Sequence, residues 1–228
     1  MKNSMIIIKK ELKDTLKNKT VLIQFVLFPI MTLVMENLIK MEGMPELFFT
    51  KLFSIMYIGM APLTSTASII SEEKEKNTLR VLTMANVKPW EYLLGVGLYV
   101  WLICMCGAGV IATGLSGDEI PFYMGVMAIG FVISIVAGAC VGIYSKNQMT
   151  ATSIVMPVML VLAFAPMIAM FNDNIERFAR FFYTQQLRTI LEKMSFDGMK
   201  KESVVILIIN ALVMIILFSV FFKRKGLE

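Results

Sequence analysis

Six stretches of this chain run, almost without a charge, for about the 20 residues a helix needs to cross a hydrocarbon layer of roughly 30 Å. They are Val21–Ile39, Leu52–Ser71, Tyr92–Thr113, Ile120–Tyr144, Thr150–Phe171 and Val204–Phe222. A soluble fold would have to cover such runs with polar residues. The chain lacks them: 57% of its residues are hydrophobic, 17% are charged, and the mean hydropathy is +0.72. Soluble domains sit near 45–50% apolar and about 25% charged. In lipid the outside can be apolar, but every backbone polar group must be satisfied within its own segment, which favours helices. The expectation is an all-α membrane protein with six transmembrane helices over residues 20–228. The second span is the least apolar, because it carries Thr64, Ser65, Thr66 and Ser68. Hydroxyls of this kind bond back to their own helix or to a neighbour.

Before the first span, Met1, Met5, Ile8, Leu12 and Leu16 recur at helical spacing. Lys2, Lys9, Lys10, Lys13 and Lys17 fill the other faces with Glu11 and Asp14. This pattern predicts an amphipathic helix over 1–19 lying in the membrane interface. Met5–Ile8 is too short an apolar stretch for a cleaved signal. Between the fifth and sixth spans, over 172–203, Ile175, Phe178, Phe181, Phe182, Leu187, Ile190, Leu191 and Met194 recur at helical spacing among charges. One or two short amphipathic helices are expected there, on the outer face.

Lysine and arginine set orientation. Fourteen flank one side of the six spans and eight the other. The first side is therefore read as cytoplasmic, with both termini inside a multi-pass protein of the cell membrane. The formal charge of +5 and pI of about 9.1 come from these clusters, which suit anionic headgroups rather than nucleic acid. The chain has no histidine, which removes histidine triads, histidine-ligated metal sites and histidine general bases. Cys104, Cys106 and Cys140 lie in apolar runs and read as small buried side chains, not as metal ligands. Ser65 and Ser68 have no evident general base, and no carboxylates pair inside the membrane, so an intramembrane enzyme is not expected. Glu36, near the outer end of the first span, reads as an interfacial carboxylate.

Gly130, Ser134, Gly138 and Gly142 fall four apart in the fourth span. They make a stripe of small side chains that lets another helix come close. Static packing and a sliding face are both open readings of it. Pro157 and Pro166 interrupt the fifth span and are expected to kink it.

The most informative segment is the least hydrophobic, Glu73–Val96, EKEKNTLRVLTMANVKPWEYLLGV. Charges alternate at its start, apolar residues follow at Leu79, Val81 and Leu82, and Asn86–Pro89 reads as a turn. Pro89 suits the first position of the third span. The physical reading is a short amphipathic helix, a turn and a helix restart at the inner face. The segment resembles the loop after the second span in the type-2 family of ABC exporter permeases, with the pattern E-x-E-x-G-T-L-x-x-L-L-x-x-P-V-x-x-x-E-x-x-L-G-K. Glu73, Glu75, Thr78, Leu79, Leu82, Val87, Glu91, Leu94 and Gly95 match without a gap. Asn77 stands where the family favours Gly, Thr83 for Leu, Asn86 for Pro and Val96 for Lys.

The resemblance implies that 72–91 holds a coupling helix docked on a separate cytoplasmic ABC ATPase subunit through Glu73, Glu75, Thr78, Leu79 and Leu82. The turn Ser145, Lys146, Asn147, Gln148 and Met149 would be a second, smaller contact. ATP and Mg would be bound by the partner, since this chain has no GxxxxGK[ST] loop. Leu115-Ser116-Gly117 matches the opening of an ABC ATPase signature by coincidence, with no ATPase domain around it. Six spans are few for a transport path and ABC ATPases act in pairs, so a homodimer with two ATPase copies is expected. The substrate class suggested by twenty methionines and sixteen phenylalanines is hydrophobic or amphipathic, such as a peptide toxin or antimicrobial peptide. The alternative is an ion-coupled transporter or channel not driven by ATP. Such proteins place ionisable groups at mid-membrane, and this chain has few there.

Overall fold

The computed structural model describes residues 7, 19–39, 45–78, 89–195 and 200–225, and among these there is helix and turn but no strand. The helices are α1 (Lys19–Leu38), α2 (Phe48–Glu75), α3 (Pro89–Ala112), α4 (Ile120–Tyr144), α5 (Gln148–Ile168), α6 (Asp173–Ala179), α7 (Tyr183–Lys193) and α8 (Lys201–Lys225). Among the described residues five helices, α2, α3, α4, α5 and α8, are long and apolar enough to cross a membrane. The first expected span is the exception, because the apolar part of α1, Leu22–Leu38, is shorter. The interfacial helix expected over 1–19 lies outside the described residues except at Ile7 and Lys19. Ile7 is helical and buried, and packs where a side chain on Gly95 would stand.

Helix ends follow caps rather than the first charge. α2 begins at Phe48, not Leu52, because Glu36 of α1 caps it from outside. A Glu36 carboxylate oxygen accepts from the Thr50 N–H at 2.7 Å and from its hydroxyl at 3.1 Å. An anion on a free N–H in the first turn stabilises a helix start. The interfacial carboxylate of the sequence is thus a cap supplied by a neighbouring helix. α5 ends at Ile168 rather than Phe171, and the Asn172 side chain starts α6 by accepting from the Asn174 and Ile175 N–H groups.

α2 is the centre of the bundle. It packs on α1, α3, α4, α5 and α7. α8 lies at the edge against α4 and α7, and no residue of its central apolar window is buried. Where one or two short helices are expected between α5 and α8, the structure has two, α6 and α7. α7 is docked deeply, with Tyr183, Leu187, Ile190 and Leu191 buried.

The carbonyls released by two prolines inside helices are taken by neighbouring hydroxyls. Pro29 in α1 has no N–H to give the Phe25 carbonyl, and the Tyr57 hydroxyl of α2 donates to that oxygen at 3.1 Å. Pro62 in α2 likewise releases the Ile58 carbonyl, and Ser134 Oγ of α4 donates to it at 2.7 Å. In the membrane a freed carbonyl has no water to turn to, so a side chain from another helix has to serve. The single Ser134 hydroxyl proton being engaged, the Tyr183 hydroxyl of α7, 2.7 Å away, is the donor to Ser134 Oγ. Two more polar contacts hold α2. Thr64 donates to Gln24 Oε1 of α1 at 3.0 Å, and Ser54 lies 2.7 Å from the Tyr123 hydroxyl of α4.

Candidate functional site

The sequence places Glu73 and Glu75 in a short helix of their own, but α2 runs on through them, so both stand in its last turn. A charge does not end a helix whose next residues still find their carbonyls. The Lys76 N–H reaches the Glu72 carbonyl at 2.9 Å, and the Asn77 N–H reaches that of Lys74 at 3.0 Å. The stop comes at Asn77, in the left-handed region at φ 56°. Glycine enters that region without strain and asparagine is the next most tolerant residue. That explains how Asn stands at the motif position the resemblance gives to Gly.

Glu73 is buried, Thr78 is half-buried, and Glu75 is exposed. Leu79 and Leu82 lie outside the described residues, as does 80–88 apart from them. Glu91 is half-buried in the first turn of α3, and Leu94 is exposed. Pro89 opens α3 as the sequence suggests.

The second segment, the turn between α4 and α5, is tightly capped. Ser145 returns both its N–H and its hydroxyl to the Val141 carbonyl, at 3.0 and 2.7 Å. The Asn147 side chain accepts from the Thr150 N–H and hydroxyl, both at 2.8 Å. Ser145 is buried, whereas Lys146 and Asn147 are exposed and Met149 is 81% exposed.

The two segments meet. A Glu75 carboxylate oxygen accepts from the Gln148 N–H at 2.9 Å. Gln148 Nε2 donates to Ser68 Oγ on α2 at 2.9 Å, and Lys74 Nζ donates to the Ile143 carbonyl at 2.7 Å. The end of α2 and the α4–α5 turn therefore form one joined surface at one end of the bundle. Sequence reading singled out Glu75 and Gln148, but not their bond to each other, and it passed over Lys74. Only the backbone of Gln148 takes part in the first contact, and residue type does not encode a backbone donor.

The small-residue stripe explains how the helices come close enough. A Cβ on Gly138 would stand 2.4 Å from the Leu63 carbonyl oxygen, and one on Gly142 2.8 Å from Ile70 Cβ. One on Gly130 would meet the Ile58 and Leu187 side chains at 2.8 and 2.9 Å. All three glycines and Ser134 face α2 along its length. Gly59 of α2 does the same toward α5, where its Cβ would lie 3.0 Å from the Ala163 backbone.

At the opposite end, α2, α5 and α7 surround a cavity of about 250 Å³. Its wall is apolar at Leu52, Ile55, Pro166 and Met167, with Lys51 and Arg188 beside them. Among the described residues no group of histidine, cysteine, aspartate and glutamate side chains is arranged to hold a metal.

A family model described as "ABC-2 family transporter protein" matches residues 2–222, nearly the whole chain. A comparison with curated proteins gives no match.

Proposed function

From the premise that this chain belongs to the ABC-2 family of transporter proteins, the membrane components of ABC transporters that work with an ABC ATPase subunit, we propose that the joined surface at Glu75 and Gln148 is where the ATPase docks. The observation that carries this reading is the direct bond between the two segments. One partner seated there contacts both.

In this reading α1 is the sixth span. Its 20 residues reach about 30 Å at 1.5 Å per residue, enough to cross. Both termini and the joined surface are cytoplasmic. Two copies of the chain assemble with two ATPase subunits, which bind ATP and Mg and carry out all hydrolysis. Closure of the ATPase pair draws on the docked ends and favours one arrangement of the spans over the other. The transported molecule is hydrophobic or amphipathic, such as a peptide toxin or antimicrobial peptide, and it leaves the cell. The apolar cavity with charged neighbours at the far end of α2 supports that substrate class.

The test is purification from membranes of cells that make both this chain and an ABC ATPase subunit, followed by transport into inside-out vesicles. ATP should drive amphipathic peptides into the lumen, and a proton gradient alone should not. Failure of any ATPase to copurify, or transport that follows the proton gradient and ignores ATP, would sink the reading.

A further inference from the structure

Two adjacent residues at the end of α2 reach the two ends of different helices. Ile143 is the next-to-last residue of α4, and its carbonyl belongs to the last turn, where no intrahelical donor is available. Lys74 supplies one. Gln148 is the first residue of α5, and its N–H belongs to the first turn, where no intrahelical acceptor is available. Glu75 supplies one. The charges suit the helix dipoles: the cation sits at a C-terminus and the anion at an N-terminus. Within the turn Ser145 serves the Val141 carbonyl and Asn147 the Thr150 N–H, whereas the Ile143 carbonyl and the Gln148 N–H are taken by α2. Ser68, two helical turns before Glu75 and on the same face, holds the Gln148 side chain as well. The bare Gly142 lets the backbones approach.

We infer that Lys74 and Glu75 are positioning residues that clasp the α4–α5 turn, so that a displacement of the α2 end is carried into α5 through the Gln148 N–H. The inference rests on the docking surface proposed above and deepens it. Glu75 works on its own chain rather than by touching the ATPase. The two docking segments then move as one body, and a force on either is felt by both.

A backbone donor can be deleted here without breaking the helix. Gln148→Pro removes the N–H at the first helical position, where proline is well tolerated. Asn147 already has the extended backbone, φ −152° and ψ 171°, that a residue before proline requires. Gln148→Ala removes only the side-chain bond to Ser68 and serves as the reference. Spin labels at positions 76 and 146 of the full chain in lipid vesicles report the distance between the two segments and need no ATPase. The label pair should give a narrow distance distribution in the parent and in Gln148→Ala. It should broaden in Glu75→Ala and in Gln148→Pro, and broaden no further when the two are combined. Unchanged distributions in all variants would overturn the clasp.

In the complex with its ATPase, substrate-stimulated hydrolysis should fall about fivefold in Glu75→Ala and in Gln148→Pro, the order expected for loss of one helix cap. The double variant should fall no further, and Glu75→Gln, which keeps an acceptor, should retain coupling. If Gln148→Pro couples like Gln148→Ala while Glu75→Ala does not, or if the two losses multiply, Glu75 acts on the partner directly and the inference is wrong. Broadened label distances together with a chain that binds no ATPase would leave the clasp standing and remove the docking surface.

Discussion

Ser134 and Tyr57 each donate to a carbonyl that a proline has released on another helix, and Gly107 leaves the room for the Tyr57 ring to do so. At this scale the consequence is a coupled pair. Ser134→Ala should lower stability by about 1–3 kcal/mol, because it strands the Ile58 carbonyl and the Tyr183 hydroxyl in the interior. In a Pro62→Ala background the helix regains its own donor to Ile58, so the same change should cost less. Thermal unfolding of the four combinations in detergent checks this. The glycines of α4 give a second contrast. Gly138→Ala would press a methyl group against the Leu63 backbone and should cost about 1–3 kcal/mol. Gly125, with nothing within 4 Å of the added carbon, should accept alanine with no loss of melting temperature. The four-residue spacing of the stripe was legible in the sequence as close packing. The donor role of Ser134 was not, since it depends on which carbonyl on a different helix lacks a partner.

Among elements, α2 shows what a hydropathy pattern measures. It reads as the weakest span because of its hydroxyls, yet it is the helix the others surround. Those hydroxyls face protein: Ser54, Thr64, Ser65 and Ser68 find partners on other helices, and the Thr66 hydroxyl is buried without one. α8 is strongly apolar and lies at the edge. At these two extremes hydropathy follows exposure, but α4 is both strongly apolar and largely buried, so the pattern located the spans without telling which one is central. It also ended α2 too early at both sides, because caps, not charges, stop a helix. The capping role of Glu36 is testable. Glu36→Ala should destabilise the bundle by about 1 kcal/mol through loss of the α2 cap. Glu36→Gln keeps an acceptor and should preserve both melting temperature and transport. Loss of transport in a well-folded Glu36→Gln protein would instead point to a proton-coupled carboxylate. At the other end of α2, Asn77→Gly should be tolerated, whereas Asn77→Val, forced into a left-handed turn, should lower the melting temperature.

Across the whole molecule the charge bias makes a prediction about sidedness. With the native cysteines replaced, a membrane-impermeant thiol reagent should label single cysteines at exposed Lys76 and Lys146 only from the cytoplasmic side. Cysteines at exposed Glu46 and Arg177 should be labelled only from outside. The opposite result would invert the proposed orientation. The central place of α2 has a further consequence, for synthesis. Ser54 leaves the ribosome 69 residues before its partner Tyr123. At about 5–20 residues per second, that is a wait of roughly 3 to 14 seconds. During it the least greasy span of the chain must be sheltered from lipid by the insertion machinery or by α1, and the bundle closes around α2 only as each later helix arrives.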